Sequence, residues 1–170
     1  MALPSLLDET LELWQFARDG VIDEVRNLPE DALHARGAVG ARTIAEIVHH
    51  IAESGLLMSG ELTRKDGDFQ RQAYPEFLKE YAGQMERPDA KDQLIALLER
   101  THEEGERKIR AAGEALLLQP IRQFNGIEAR RLTWMNHGIG HEEYHRGQIA
   151  LAARLLGYLP ALTKLIQGST

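Results

Sequence analysis

The sequence predicts an all-α protein, a four-helix bundle with a short extra helix or hairpin in its connections. Two observations carry this prediction. Apolar residues recur at spacings of three, four and seven along four long segments. The breaks between those segments are marked by proline and glycine. A chain of 170 residues with 43% apolar composition is long and apolar enough for one real core. A single domain over 1–170 is expected.

The first helix carries Leu7, Leu11, Trp14, Val21, Val25 and Leu28 on one stripe, and should end at Leu28 because Pro29 follows. "PEDALHARGAVGA" is then a connection. Thr43 and Glu46 have the spacing of a capping box, which starts the second helix. Its stripe is Ile44, Ile47, Val48, Ile51 and Gly55, and it should run to Leu62. "TRKDGDFQRQAYPEF" breaks the pattern and reads as a long loop with a short helix over Pro75 to Tyr81. The third helix begins near Asp89 and carries Leu94, Leu97, Leu98, Thr101 and Ile109. Asn125-Gly126, between Phe124 and Ile127, signals a short hairpin. The fourth helix runs from near Ala129 to Leu156 and is stopped by Gly157 and Pro160. "ALTKLIQ" forms a short terminal helix. Periodicity does not say in which order the helices pack.

Charge and composition narrow the function. The net charge of −6 argues against a general nucleic-acid binder, although Arg122, Arg130 and Arg131 are placed to form a small basic patch. There is no cysteine, so no thiolate ligand, catalytic thiol or disulfide comes from the chain. The first residues lack a basic secretory n-region, and no apolar run approaches the roughly 20 residues of a membrane span. A cytoplasmic protein acting on a small molecule, not on a membrane, is the expectation.

The most informative stretch is "HGIGHEEYHRGQI", with His137, His141 and His145 four residues apart. Residues four apart on a helix lie about 40° apart on one face. His141 and His145 share a sector with Trp134, Ile149, Ala152 and Leu156, whereas Asn136, Glu143 and Arg154 lie opposite. Both histidines therefore face the bundle interior, where each ring nitrogen needs a partner and one divalent metal serves two rings at once. His137 lies roughly 12 Å from the level of His145 by helix rise, too far to share that metal, and stands near the site instead. A third donor is available in "HHIAE": His50 flanks the apolar stripe of the second helix, while His49 points away and should be solvated. Three histidines from two helices leave an open coordination position, the arrangement of a catalytic metal.

Glu46 with His49, and Glu142 with His145, both match Glu-x-x-His, the repeat used by di-iron bundles. The capping role of Glu46 and the outward direction of His49 count against that arrangement. Gln148, one turn past His145, is placed to hold the second ring nitrogen of a ligating histidine or to cap a loop. Arg146 reads as a surface or interface charge, Trp14 and Trp134 as core, and Tyr144 as an interface residue. His34 and His102 read as surface polar groups.

"TIAEIVHHIAE" followed by "HEEYHRGQI" and "ARLLG" resembles the DinB-like superfamily of DinB- and YfiT-related metal-binding bundles, in helix order over nearly the whole chain. The resemblance implies a DinB/YfiT-like four-helix bundle whose metal ligands are His50, His141 and His145. It implies zinc or nickel, with iron also compatible, and a homodimer. Because some relatives use a low-molecular-weight thiol such as mycothiol or bacillithiol, it also implies a thiol S-transferase acting on an electrophilic small molecule. The catalytic residues stay unassigned. Two alternatives remain open: a metal-dependent hydrolase, with Glu142 or Glu46 as base by spacing only, and a non-enzymatic metal-stabilised stress-response or binding module.

Overall fold

Ser5 starts the first helix: its Oγ accepts the N–H of Asp8 at 3.1 Å, and α1 follows over Leu6–Arg26. The computed structural model describes residues 3–168. α1 ends two residues before the predicted Leu28, because Pro29 disfavours helical backbone ahead of it and Asn27 closes the last turn on Asp23. A short 3-10 turn, Glu30–Leu33, buries Ala32 and Leu33 on the way to α2. α2 spans Ile44–Thr63 and begins with the predicted capping box: Thr43 N–H donates to Glu46 Oε2 at 2.7 Å, and Glu46 N–H donates to Thr43 Oγ1 at 3.1 Å.

The long loop holds α3, Tyr74–Ala82, with Pro75 in its first turn. α4 covers Lys91–Ala112, starting two residues after the predicted Asp89, and a single turn, α5, covers Glu114–Leu117. The hairpin exists: β1 Pro120–Arg122 pairs antiparallel with β2 Glu128–Arg130, with Ile121 opposite Ala129. Gly126 turns it at φ +82°, where a side chain would be strained. The last long helix, α6, therefore starts at Arg131 and not at Ala129, which the hairpin claims, and it runs to Leu155. α7, Ala161–Gly168, closes the described chain.

α1 and α2 lie across the bundle's diagonal, each flanked by α4 and α6. α1 and α6 run parallel, since Trp14 meets Glu142 and, further along, Asn27 Nδ2 donates to the Leu159 carbonyl at 2.7 Å. α2 and α6 run antiparallel: His50 meets His141, and Arg131 donates to the Leu62 carbonyl at 2.8 Å. α2 and α4 also run parallel, since His49 meets Pro88 just ahead of α4 and, further along both helices, Ser59 lies against Gly105, so a tight turn cannot join them and the connection is long.

The core is divided into two apolar clusters. One gathers Val21, Val25, Val48, Ile51, Leu98 and Ile149; the other gathers Trp14, Met58, Leu62, Phe77, Ile109 and Met135. Along α1, α4 and α6 the break between them is filled by Arg18, Thr101, His102, Glu142 and His145, all buried. A polar layer thus crosses the bundle between the two apolar clusters.

The expected basic patch does not form. Arg131 is buried and donates to the carbonyls of Leu62 and Lys65 at the C-terminal end of α2, where a cation is favoured, and Arg122 faces Asp68 at 3.6 Å. No described helix is long and apolar enough to cross a membrane.

Candidate metal centre

Three imidazoles meet where α2 passes α6. His141 Nε2 lies 3.1 Å from His50 Nε2 and 3.0 Å from His145 Nε2, and one nitrogen from each ring falls within 4.8 Å of the others. The rings stand at steep angles, 67° for His50 and His141, 85° for His50 and His145, and 78° for His141 and His145, so their edges and not their faces converge. The spacing on α6 puts two of the rings one turn apart, and the antiparallel α2 brings His50 to their level. Among the described residues this is the one group of three or more metal-type donors.

Gln148 completes the arrangement. Its Oε1 lies 2.7 Å from His145 Nδ1. A carbonyl oxygen accepts, so Nδ1 carries the proton and Nε2 turns its lone pair to the cluster. Burial pushes His50 and His141 down to about 4, helped in both by the neighbouring histidine charge. Burial also lowers His145, while the Gln148 contact opposes that fall. The rings are therefore neutral near pH 7, the form that ligates a metal.

The residues fit a divalent ion. Adjacent ligands of a tetrahedral zinc with Zn–N near 2.0–2.1 Å sit about 3.3 Å apart, close to the separations seen here. Three imidazoles with no carboxylate suit zinc, nickel or iron better than magnesium or calcium.

Other sequence expectations fare differently. His137 stands apart from the cluster, exposed, with its ring 5.3 Å from Trp134. His49 is not solvated: it is half-buried, with Nε2 2.9 Å from the Pro88 carbonyl on the side facing α4. Glu142, the base candidate by spacing, is not free to act as one. It is buried, and both oxygens are occupied: Oε1 accepts from Trp14 Nε1 at 2.7 Å and Arg18 NH2 at 2.6 Å, and Oε2 accepts from Arg18 Nε at 2.8 Å. With Glu46 capping α2 and His49 directed at Pro88, the two Glu-x-x-His motifs do not share a centre. His102, expected at the surface, is 3% exposed beneath Trp14, with neither ring nitrogen hydrogen-bonded among the described residues. Arg146 is largely covered, folding over Gly20 and 5.9 Å from the Phe16 ring centre, while pairing with Glu143. Trp134 is half-buried and lines a pocket, whereas Trp14 is core as expected.

Two openings border the cluster. A pocket of about 190 Å³ touches His141 and is walled by Met58, Tyr74, Phe124, Trp134 and His137. Part of its wall comes from the two interruptions in the helical pattern. Tyr74 belongs to α3 and Phe124 to the hairpin, and Phe124 stacks 5.5 Å from Trp134 and 4.9 Å from Phe69. The loop before α3 is held by buried Glu61, which pairs with Arg71 at 2.7 Å and accepts from the Tyr81 hydroxyl at 2.7 Å. Gly138 faces this pocket against the Met58 sulfur, where a side chain would collide. On the other side a cleft of about 520 Å³ touches His145 and Gln148 and is lined by Arg42 and Tyr144.

The DinB family model matches residues 2–167 of the chain. The chain belongs to the DinB family. No curated protein matches it. Its fold is similar to YfiT from Bacillus subtilis, described as a probable metal-dependent hydrolase with an unusual four-helix bundle topology, at 14% identity, a TM-score of 0.69 and 93% of each chain. It is also similar to a mutant of the mycothiol-dependent maleylpyruvate isomerase, at 14% identity and a TM-score of 0.65, over 91% of this chain and 68% of that one. At such identities the likeness to these two structures concerns the fold.

Sequence reasoning missed Arg18 and Arg42. Arg18 had a signal: it interrupts the apolar series Leu11, Trp14, Val21, Val25, as Glu142 falls midway between the apolar Met135 and Ile149, two heptad steps apart. Two opposite charges on interior faces predict a buried pair. Arg42 had none, because it lies in a loop before a cap.

Proposed function

We propose that this DinB-family chain binds one divalent metal, zinc or nickel with iron compatible, through Nε2 of His50, His141 and His145. We propose further that it is a metal-dependent thiol S-transferase using a low-molecular-weight thiol against an electrophilic small molecule. The observation that carries the reading is the convergence of three neutral imidazole nitrogens at a point bordered by an apolar pocket on one side and, on the other, a cleft that carries Arg42, Tyr144 and Gln148.

When bound, the metal would supply a Lewis acid that lowers the pKa of a thiol placed on it. The chain's own residues do the rest. Gln148 fixes the tautomer and ring direction of His145. Glu142, one residue from His141, anchors α6 to α1 through Arg18 and Trp14 and so holds the ring's helix in place. Met58, Phe124 and Trp134 form an apolar wall that excludes water and takes the electrophile's apolar portion.

A hydrolase would need a side chain free to accept a proton beside the metal. Glu142 is fully engaged and Glu46 caps a helix, which favours the thiol reading, where the metal itself acidifies the nucleophile. A purely stabilising metal would not require the flanking pocket.

The test is elemental analysis of untagged protein beside a variant with alanine at 50, 141 and 145, followed by conjugation of a small thiol to 1-chloro-2,4-dinitrobenzene. One equivalent of metal lost in the variant, with thiol conjugation lost alongside it, supports the proposal. Two equivalents of iron would point to a di-iron centre, and metal without thiol chemistry would leave a hydrolase or a binding module.

A further inference from the structure

We propose that Arg42 anchors a carboxylate of the ligand, so that the preferred thiol is an acidic one, held by its sulfur at the histidine cluster and by its carboxylate in the cleft beside it. This rests on the reading under Proposed function. Arg42 immediately precedes the capping residue of α2 and lines the cleft with His145, Gln148 and Tyr144. The loop carrying it is fixed. Arg36 donates to the Ala41 carbonyl and pairs with Glu46 at 3.0 Å, and Ala41 N–H closes a turn on Ala38 at 3.1 Å.

Glu46, the nearest acid in sequence, is thereby used up by Arg36 and the Thr43 N–H. Among the described residues Arg42 makes no ion pair, and no acidic side chain lines the cleft. It shares the cleft wall with His145, the ring of the cluster on that side, where a ligand reaching from the cluster would lie. A guanidinium presents a planar fork that matches a carboxylate. One free cation balances one monovalent carboxylate, whereas a phosphate dianion would stay half compensated. Tyr144, 63% exposed with its ring 5.1 Å from His145, stands at the mouth where it can cover the ligand's chain.

The experiment uses the full chain loaded with cobalt(II). 3-Mercaptopropionate and 2-mercaptoethanol are titrated into wild type, Arg42→Gln and Arg42→Lys, reading thiolate-to-cobalt absorption. Propionate and propionamide are titrated calorimetrically in parallel. Arg42 is exposed, so the variants should fold, and equal cobalt content checks this. The expected result is a preference for the acidic thiol that falls roughly tenfold in Arg42→Gln and is partly kept in Arg42→Lys. A preference unchanged by Arg42→Gln overturns the inference. Absence of any thiol absorption would sink the thiol reading itself. In that case propionate binding lost in Arg42→Gln still upholds the carboxylate anchor, and propionate binding insensitive to it refutes the anchor.

Discussion

Arg18 and Glu142 form a buried two-point ion pair between α1 and α6, Nε to Oε2 at 2.8 Å and NH2 to Oε1 at 2.6 Å, one residue from the histidine cluster. The third nitrogen of Arg18 donates to the Leu98 carbonyl at 2.6 Å, so the pair also ties α4 into the same layer. Burying two charges is costly in itself, and removing one alone is worse than removing both.

The first prediction follows directly. Arg18→Met should lower stability by about 3–5 kcal/mol, because Glu142 keeps its charge and loses its partner. Arg18→Met combined with Glu142→Gln should recover part of that loss. Urea unfolding of the metal-free proteins measures both, and strictly additive losses would show that the two residues are not coupled.

The second concerns the ligands. His50→Ala, His141→Ala and His145→Ala should each lose stoichiometric metal, while His49→Ala, whose ring meets Pro88, should keep it. Metal content after dialysis decides the register: loss in His49→Ala with retention in His50→Ala would reverse it.

Gln148 gives a third. Gln148→Leu preserves volume but leaves His145 Nδ1 without its acceptor. Metal affinity should fall about 10- to 100-fold, the usual cost of removing a group that orients a ligating histidine. Competition with a chromophoric chelator measures it, and an unchanged affinity would reduce Gln148 to a packing residue.

A fourth is a pH effect at His102. Burial pushes this imidazole down from 6.5 to about 4, so the unfolded chain binds the proton more readily than the folded one. Its contribution to stability is complete above pH 6.5 and is lost progressively as the pH falls toward about 4. The histidine cluster of the metal-free protein should act in the same direction, so the useful quantity is the difference between wild type and His102→Leu. That difference should change by up to about 3 kcal/mol between pH 7 and pH 4. A difference independent of pH would mean His102 finds a partner in solution.

Helix starts and stops were legible because they depend on neighbours in sequence: Thr43 with Glu46, Pro29, and Asn125-Gly126. Errors at the ends came from competition between elements, as when the hairpin took Ala129 from the last helix. Burial of polar groups was harder to read. His102 and Arg131 look like surface residues in isolation, and only coverage by Trp14 and the carbonyls at the end of α2 account for their burial.

The sequence by itself determined four helices, the capping box and a pair of inward histidines one turn apart, since each follows from helical geometry over a few residues. The tertiary structure alone decided that α2 runs antiparallel beside α6, which brings His50 to His141, and that α3 and the hairpin wall the pocket with Tyr74 and Phe124. It also decided that Arg42, which makes no ion pair among the described residues, lines the cleft beside His145. These relations join residues far apart in the chain, and their free energy comes from packing and charge pairing between helices, which local periodicity does not encode.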